Sequence, residues 1–279
     1  MIETILLSVT FIVLCVGTYT DFKWREVPDW LSWGFLMFAF GTRIIGSLYE
    51  SNLWTLASGL IGFGIFFVIA MAMYYLHQWG GGDAKLLMGL GAAFGFEANF
   101  NAMIFIFLVD SLVGGAIFGL LFSLYLALKK RKEFVRCYIV LSKEAKYAKI
   151  TLLIILIIVL VVYFFVSPFL KMAVAMFALM TIFLLYSFLF INAVEKSCLI
   201  SWKKPDELTE GDWIVKPVVV KGKRIASPKD LGLEKKQIAL IKRLKVKKVL
   251  VKDGMPFVPV FLLGYLLTII FGAWLMVVF

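Results

Sequence analysis

The chain has 279 residues, of which 62% are hydrophobic, with a mean hydropathy of +0.95 and a formal net charge of +11. Apolar runs of about 18 residues or more recur along it, which excludes a soluble globular core and predicts an all-α polytopic membrane protein. Cys15, Cys137 and Cys198 form no CxxC or CxxH spacing and His77 is the only histidine, so neither a zinc site nor structural disulfides are expected.

In chain order the apolar spans fall at 2–20, 28–48, 53–76, 84–97, 100–128, 150–167, 169–193 and 257–278, about eight transmembrane helices. The first carries Glu3 in place of a basic leader and shows no small-residue cleavage site, so it reads as a retained helix. The short one is 84–97, which at 1.5 Å per residue reaches only about 20 Å and is either a crossing or a re-entrant half-helix. Charge decides between these. If 84–97 crosses, the segments 21–29, 78–85, 129–149 and 195–255 share one side and hold 27 of the 29 Lys and Arg residues, with only Arg43 and Lys171 elsewhere. The positive-inside rule makes that side cytoplasmic and puts both termini outside the cell membrane. Thinning and packing accommodate a short crossing. The positive charge is then explained by topology and by contact with anionic lipid headgroups, and no nucleic acid partner is required.

Five regions result: a membrane core over 1–128, a basic cytoplasmic loop at 129–149 resting on the headgroups, an additional helix pair at 150–194, a small cytoplasmic domain at 195–255 and a final span at 256–279. Within the insertion, 213–220 (WIVKPVVV) and 246–251 (VKKVLV) read as strands, Lys221-Gly222-Lys223 as a turn and Leu233 to Lys245 as a basic amphipathic helix, giving a small α+β module before the last helix. Trp24, Trp30, Trp33 and Trp79 read as an interfacial aromatic belt.

Two acids at membrane edges carry the chemistry. Asp83 opens the fourth span directly after Gly80, Gly81 and Gly82, a stretch without side chains where an extended peptide has room to lie beside a carboxylate. Asp21 closes the first span, and on the topology above both sit at the cytoplasmic face. Two carboxylates that meet there share a proton, so one can deprotonate a water while the other protonates a carbonyl. The ordinary alternatives are that Asp21 is one more acid in a charged interhelical loop and that Asp83 is a helix-opening acid favoured by the dipole. Lys85, two residues on, either assists Asp83 or snorkels to the headgroups. Asp110 is the one acid deep in a span, with Ser111, Gly114 and Gly115 suited to close helix packing, and is a candidate to tune the pair. Glu26 and Asp29 are candidates to attract a basic peptide.

Gly80-Gly81-Gly82-Asp83-Ala84-Lys85 resembles the GxGDxK motif of prepilin peptidases, and Asp21 to Asp29 (DFKWREVPD) is similar to their first-aspartate motif. The archaeal branch, including preflagellin (prearchaellin) peptidases, resembles the chain most in having a soluble insertion before a last helix. The resemblance runs over about residues 1–128. It implies a membrane aspartyl endopeptidase that removes basic leaders from prepilin- or prearchaellin-like precursors, with Asp21 and Asp83 catalytic and no cofactor. The first loop lacks the cysteine-rich zinc region of methylating bacterial relatives, so no N-methylation is expected. Two rival readings are an intramembrane protease of the presenilin or signal-peptide-peptidase type, for which no Pro-Ala-Leu motif is found, and an ion-coupled transporter using Asp83, Lys85 and Asp110, for which no inverted repeat is found.

Overall fold

The computed structural model describes residues 2–76, 78–97, 103–220, 223–228, 230 and 232–272. His77, Lys221, Gly222 and the stretches 98–102 and 273–279 lie outside the described residues, and with them most of the expected turn at 221–223 and the ends of two expected spans. The chain divides into two compact units, Met1–Leu120 with Gly254–Phe279, and Leu121–Asp253.

The first unit holds α1 (Ile2–Trp24), α2 (Asp29–Tyr49), α3 (Leu53–Tyr75), α4 (Gly81–Phe94), most of α5 (Met103–Lys129) and α10 (Val258–Phe271). Among the described residues six helices are long and apolar enough to cross a membrane: α1, α2, α3, α5, and α7 and α8 of the second unit. Of the two remaining expected spans, 257–278 appears as the shorter apolar helix α10 and 84–97 as the 14-residue helix α4. The helices follow from uninterrupted apolar sequence broken at Pro28 and at the Glu50-Ser51-Asn52 turn, where Asn52 caps α3 by accepting the Trp54 N–H at 2.9 Å.

Helix α4 is the centre of this unit. Every residue from Leu86 to Phe94 is buried, so the helix is apolar all round because it is covered all round. Against α3 the cover is backbone on backbone: a Cβ at Gly62 would overlap the carbonyl oxygen of Gly91, and one at Gly91 that of Gly62. Phe35 of α2 packs over Gly89. The end of α4 is held by Arg43, a buried cation of α2 whose Nε and Nη2 donate to the carbonyls of Ala92 (2.6 Å) and Ala93 (2.8 Å), while Nη1 donates to the Thr55 carbonyl and Ser58 Oγ, both at 3.0 Å. The last carbonyls of a helix have no partner within it, and here a guanidinium supplies one.

The second unit holds the end of α5, then α6 (Arg131–Glu144), α7 (Lys146–Phe165) and α8 (Pro168–Val194). No residue of α7 is buried, the pattern of a helix whose apolar surface faces lipid. The segment read as a basic loop is largely the helix α6. Its basic residues alternate with apolar ones, and Phe134 packs edge-on against Phe190 of α8 with centroids 5.4 Å apart. After a single π-turn at Glu195–Leu199 comes the α+β module: antiparallel strands β1 (Ile200–Lys203), β5 (Val249–Lys252) and β2 (Trp213–Ile214) in the order β1-β5-β2, a pair β3 (Val218–Val220) and β4 (Lys223–Ala226), and α9 (Lys235–Arg243). The expected strand 213–220 is divided into β2 and β3, with Pro217, which has no N–H to give a ladder, between them. Val249 and Val251 alternate inward to meet Ile238 and Ile241 of α9 and Leu208, Ile214 and Leu233. Burial pulls the Lys203 ammonium down, but Asp253 at 2.8 Å and Asp212 at 3.3 Å outweigh it and hold the group above its ordinary value, tying β1 to the end of β5 and to the turn before β2.

Candidate active site

Asp21 lies in the last turn of α1 and is only 6% exposed. Its Oδ2 accepts the N–H of Val258, the first residue of α10, at 3.0 Å. An α-helix begins with N–H groups that have no internal partner, and the Asp21 carboxylate satisfies one of these from another helix. Arg25, at the left-handed φ of 60° that ends α1, donates from Nη1 to the Gly254 carbonyl at 3.1 Å, a second tie between the α1–α2 loop and the segment entering α10.

Asp83 lies in the first turn of α4 and is half-buried. Its Oδ2 accepts the Gly80 N–H at 3.1 Å, reaching back to the residue before its own helix. Gly17, one turn before Asp21, faces both Leu86, one turn into α4 from Asp83, and Val258. The end of α1 and the starts of α10 and α4 therefore meet. Trp79 closes this corner. It is not a belt residue facing outward, for its ring packs on Phe257 (5.0 Å) and Phe261 (5.6 Å), whereas Trp24, Trp30 and Trp33 are exposed.

The three glycines divide their work. Gly80 is exposed, Gly81 faces Tyr74, and Gly82 lies against Val27, whose side chain occupies the space a Cβ would need, so the third glycine seats α4 on the α1–α2 loop. Lys85 turns away from Asp83 and pairs with Asp29 at 2.6 Å, its ammonium also 5.8 Å from the Trp33 ring centre. This pair links the first turns of α2 and α4. Glu26 is exposed. Asp110 is not brought to this corner. It is fully buried and accepts the Thr268 hydroxyl at 2.9 Å, ten positions along α10 from Val258, a rise of about 15 Å. Around it Ser111 packs against Gly264, and Gly114 and Gly115 against Leu263 and Val260.

Sequence reasoning missed the N-terminus of α10 as part of this site, because 237 residues separate Val258 from Asp21. The available signal was Met255-Pro256-Phe257-Val258-Pro259, with a proline in the first turn of the helix, where its missing N–H costs nothing. Among the described residues no three His, Cys, Asp or Glu side chains cluster as metal ligands. Chemically the corner offers two carboxylates held by backbone donors at one end of a helix cluster, beside an exposed ion pair and an aromatic wall. Residues 8–125 match the model of the type IV leader peptidase family, a stretch that contains both aspartates. No curated protein and no solved structure matches the chain.

Proposed function

We propose, from the match of residues 8–125 to the type IV leader peptidase family and the apolar helices around them, that this chain is a membrane-embedded aspartic endopeptidase with Asp21 and Asp83 as its catalytic pair. Its substrates are prepilin- or prearchaellin-like precursors of the archaeal type, which it cuts at the cytoplasmic rim of the membrane, between a basic leader and an apolar helix, without methylating the new N-terminus. The observation that supports the reading is that Asp21 and Asp83 stand on helix ends that pack together, where α1 ends and α4 and α10 begin, Asp21 being almost wholly out of water.

Two close carboxylates do not both ionise readily, so the pair holds one proton. The ionised member takes a proton from a water molecule as its oxygen bonds to the scissile carbonyl carbon. The protonated member gives its proton to the carbonyl oxygen, and a tetrahedral diol forms. Collapse of the diol breaks the C–N bond, the amine leaves with a proton from the first carboxylate, and the second recovers its own from the diol hydroxyl. The backbone N–H groups of Val258 and Gly80 keep each carboxylate in place through the cycle. Asp29, exposed and adjacent, supplies negative charge for the leader, with Lys85 and the glycine stretch lining the approach.

The test is cleavage of a prepilin-like precursor by the purified protein in detergent. Wild type yields a shortened product with a free, unmethylated N-terminus by mass spectrometry, and Asp21→Asn and Asp83→Asn each reduce the rate by a factor of about 10³ or more. Full cleavage by either variant would remove the two-carboxylate mechanism.

A further inference from the structure

Helix α9 buries Ile238 and Ile241 in the α+β core, and its opposite face is built differently. With a repeat of 3.6 residues, Lys236, Leu240 and Arg243 share that outward face and Leu244 follows at its edge. Leu240 is 39% exposed and Leu244 38%, two leucines four apart with nothing folded over them. From Lys235 to Lys248 the sequence KKQIALIKRLKVKK has seven cations and no acid. Two of these are neutralised nearby, Lys235 by Glu210 at 3.1 Å and Lys242 by Asp206 at 3.4 Å. Lys236, Arg243, Lys245, Lys247 and Lys248 are exposed and form no ion pair among the described residues.

We infer that this face of α9 is a docking surface for an anionic bilayer. An apolar strip bordered by lysine and arginine suits the boundary between headgroups and acyl chains, where the leucines enter hydrocarbon and the cations meet phosphate. The module hangs in the sequence between α8 and the final helix, two apolar segments that anchor it, so a bilayer is always within reach at high effective concentration. An acidic protein would satisfy the cations but has no need of two leucines in their midst. The inference is independent of the peptidase reading.

Hydrogen exchange of the full chain tests it, in nanodiscs of phosphatidylcholine alone and in nanodiscs with about a third phosphatidylglycerol. Anionic lipid slows exchange across residues 235–248 by about tenfold, given that each cation near such a surface strengthens attachment by roughly fivefold and only some reach it. Salt at about 0.5 M reverses the slowing. The triple reversal Lys236→Glu, Arg243→Glu, Lys247→Glu abolishes it while exchange in β1 and β5 stays unchanged, which shows the module still folded. Leu240→Ser with Leu244→Ser weakens it severalfold and leaves its salt dependence. Equal exchange of 235–248 in the two lipids, or slowing that survives the triple reversal, would overturn the docking surface.

Discussion

Arg43 stands in α2 between Phe-Gly-Thr and Ile-Ile, a lone cation in an apolar run, and only 2% of its surface is exposed. A charge taken so far from water costs several kcal/mol unless it is bonded on every side, and this one bonds to two carbonyls in the last turn of α4, to Thr55, to Ser58 and, at 3.7 Å, to Glu3. The Gly95 backbone, with φ of 69°, leaves room for the guanidinium where a side chain would strike it. Arg43→Met leaves the buried carbonyls of Ala92 and Ala93 without their donors and costs roughly 3 kcal/mol or more, read as a fall in the thermal unfolding midpoint in detergent. Arg43→Lys keeps the charge but loses the planar fork, and recovers only part of the loss. Sequence marked Arg43 as an exception to the charge pattern but gave it no role, since its partners lie 12 to 50 residues away and are mostly carbonyls. The two aspartates were readable because the glycines and membrane edges that set them apart are local features. Their backbone partners were not.

At the scale of elements, α4 decides whether the corner exists at all. A helix of 14 residues that is wholly apolar from Leu86 onward has little to fix its depth in lipid, and its register comes from the seam with α3, where Gly62 and Gly91 bring two backbones together. Gly91→Ala inserts a methyl group against the Gly62 carbonyl and Phe66, so it destabilises by about 1–3 kcal/mol and lowers precursor cleavage through displaced Asp83. Gly64→Ala, with nothing near its added carbon, is the matched control and leaves both unfolding midpoint and rate unchanged. The long spans were legible in the sequence because a run of apolar residues is itself the signal. Helix α6 was hidden, as cations interleaved with Phe134 and Tyr138 average to a polar segment, and its packing partner α8 lies tens of residues further on. The strand 213–220 failed at Pro217, whose effect depends on which neighbour would have taken its N–H.

At the largest scale, the first unit is polarised from end to end. Asp21, Asp83, the Lys85–Asp29 pair and the start of α10 gather at one end of the first unit, and Arg43, Glu3 and the α2–α3 turn at the other. The proposed orientation turns the first of these ends to the cytoplasm. With Cys15, Cys137 and Cys198 replaced by serine, a cysteine at Glu26 reacts with an impermeant thiol reagent only after the membrane is opened, and one at Glu50 reacts in intact cells. The reverse pattern would invert the topology, and labelling at Asp21 and Asp83 from opposite compartments would end the shared-site reading. The Arg43 clasp also bears on how the protein is made. Emerging from the ribosome, α4 offers the translocon a short segment with unmatched carbonyls at its tip, and only the previously inserted α2 can answer them. On this view insertion of α4 is cooperative with the earlier helices, and Asp83 reaches its place only after the helix carrying Asp21 is already in the bilayer.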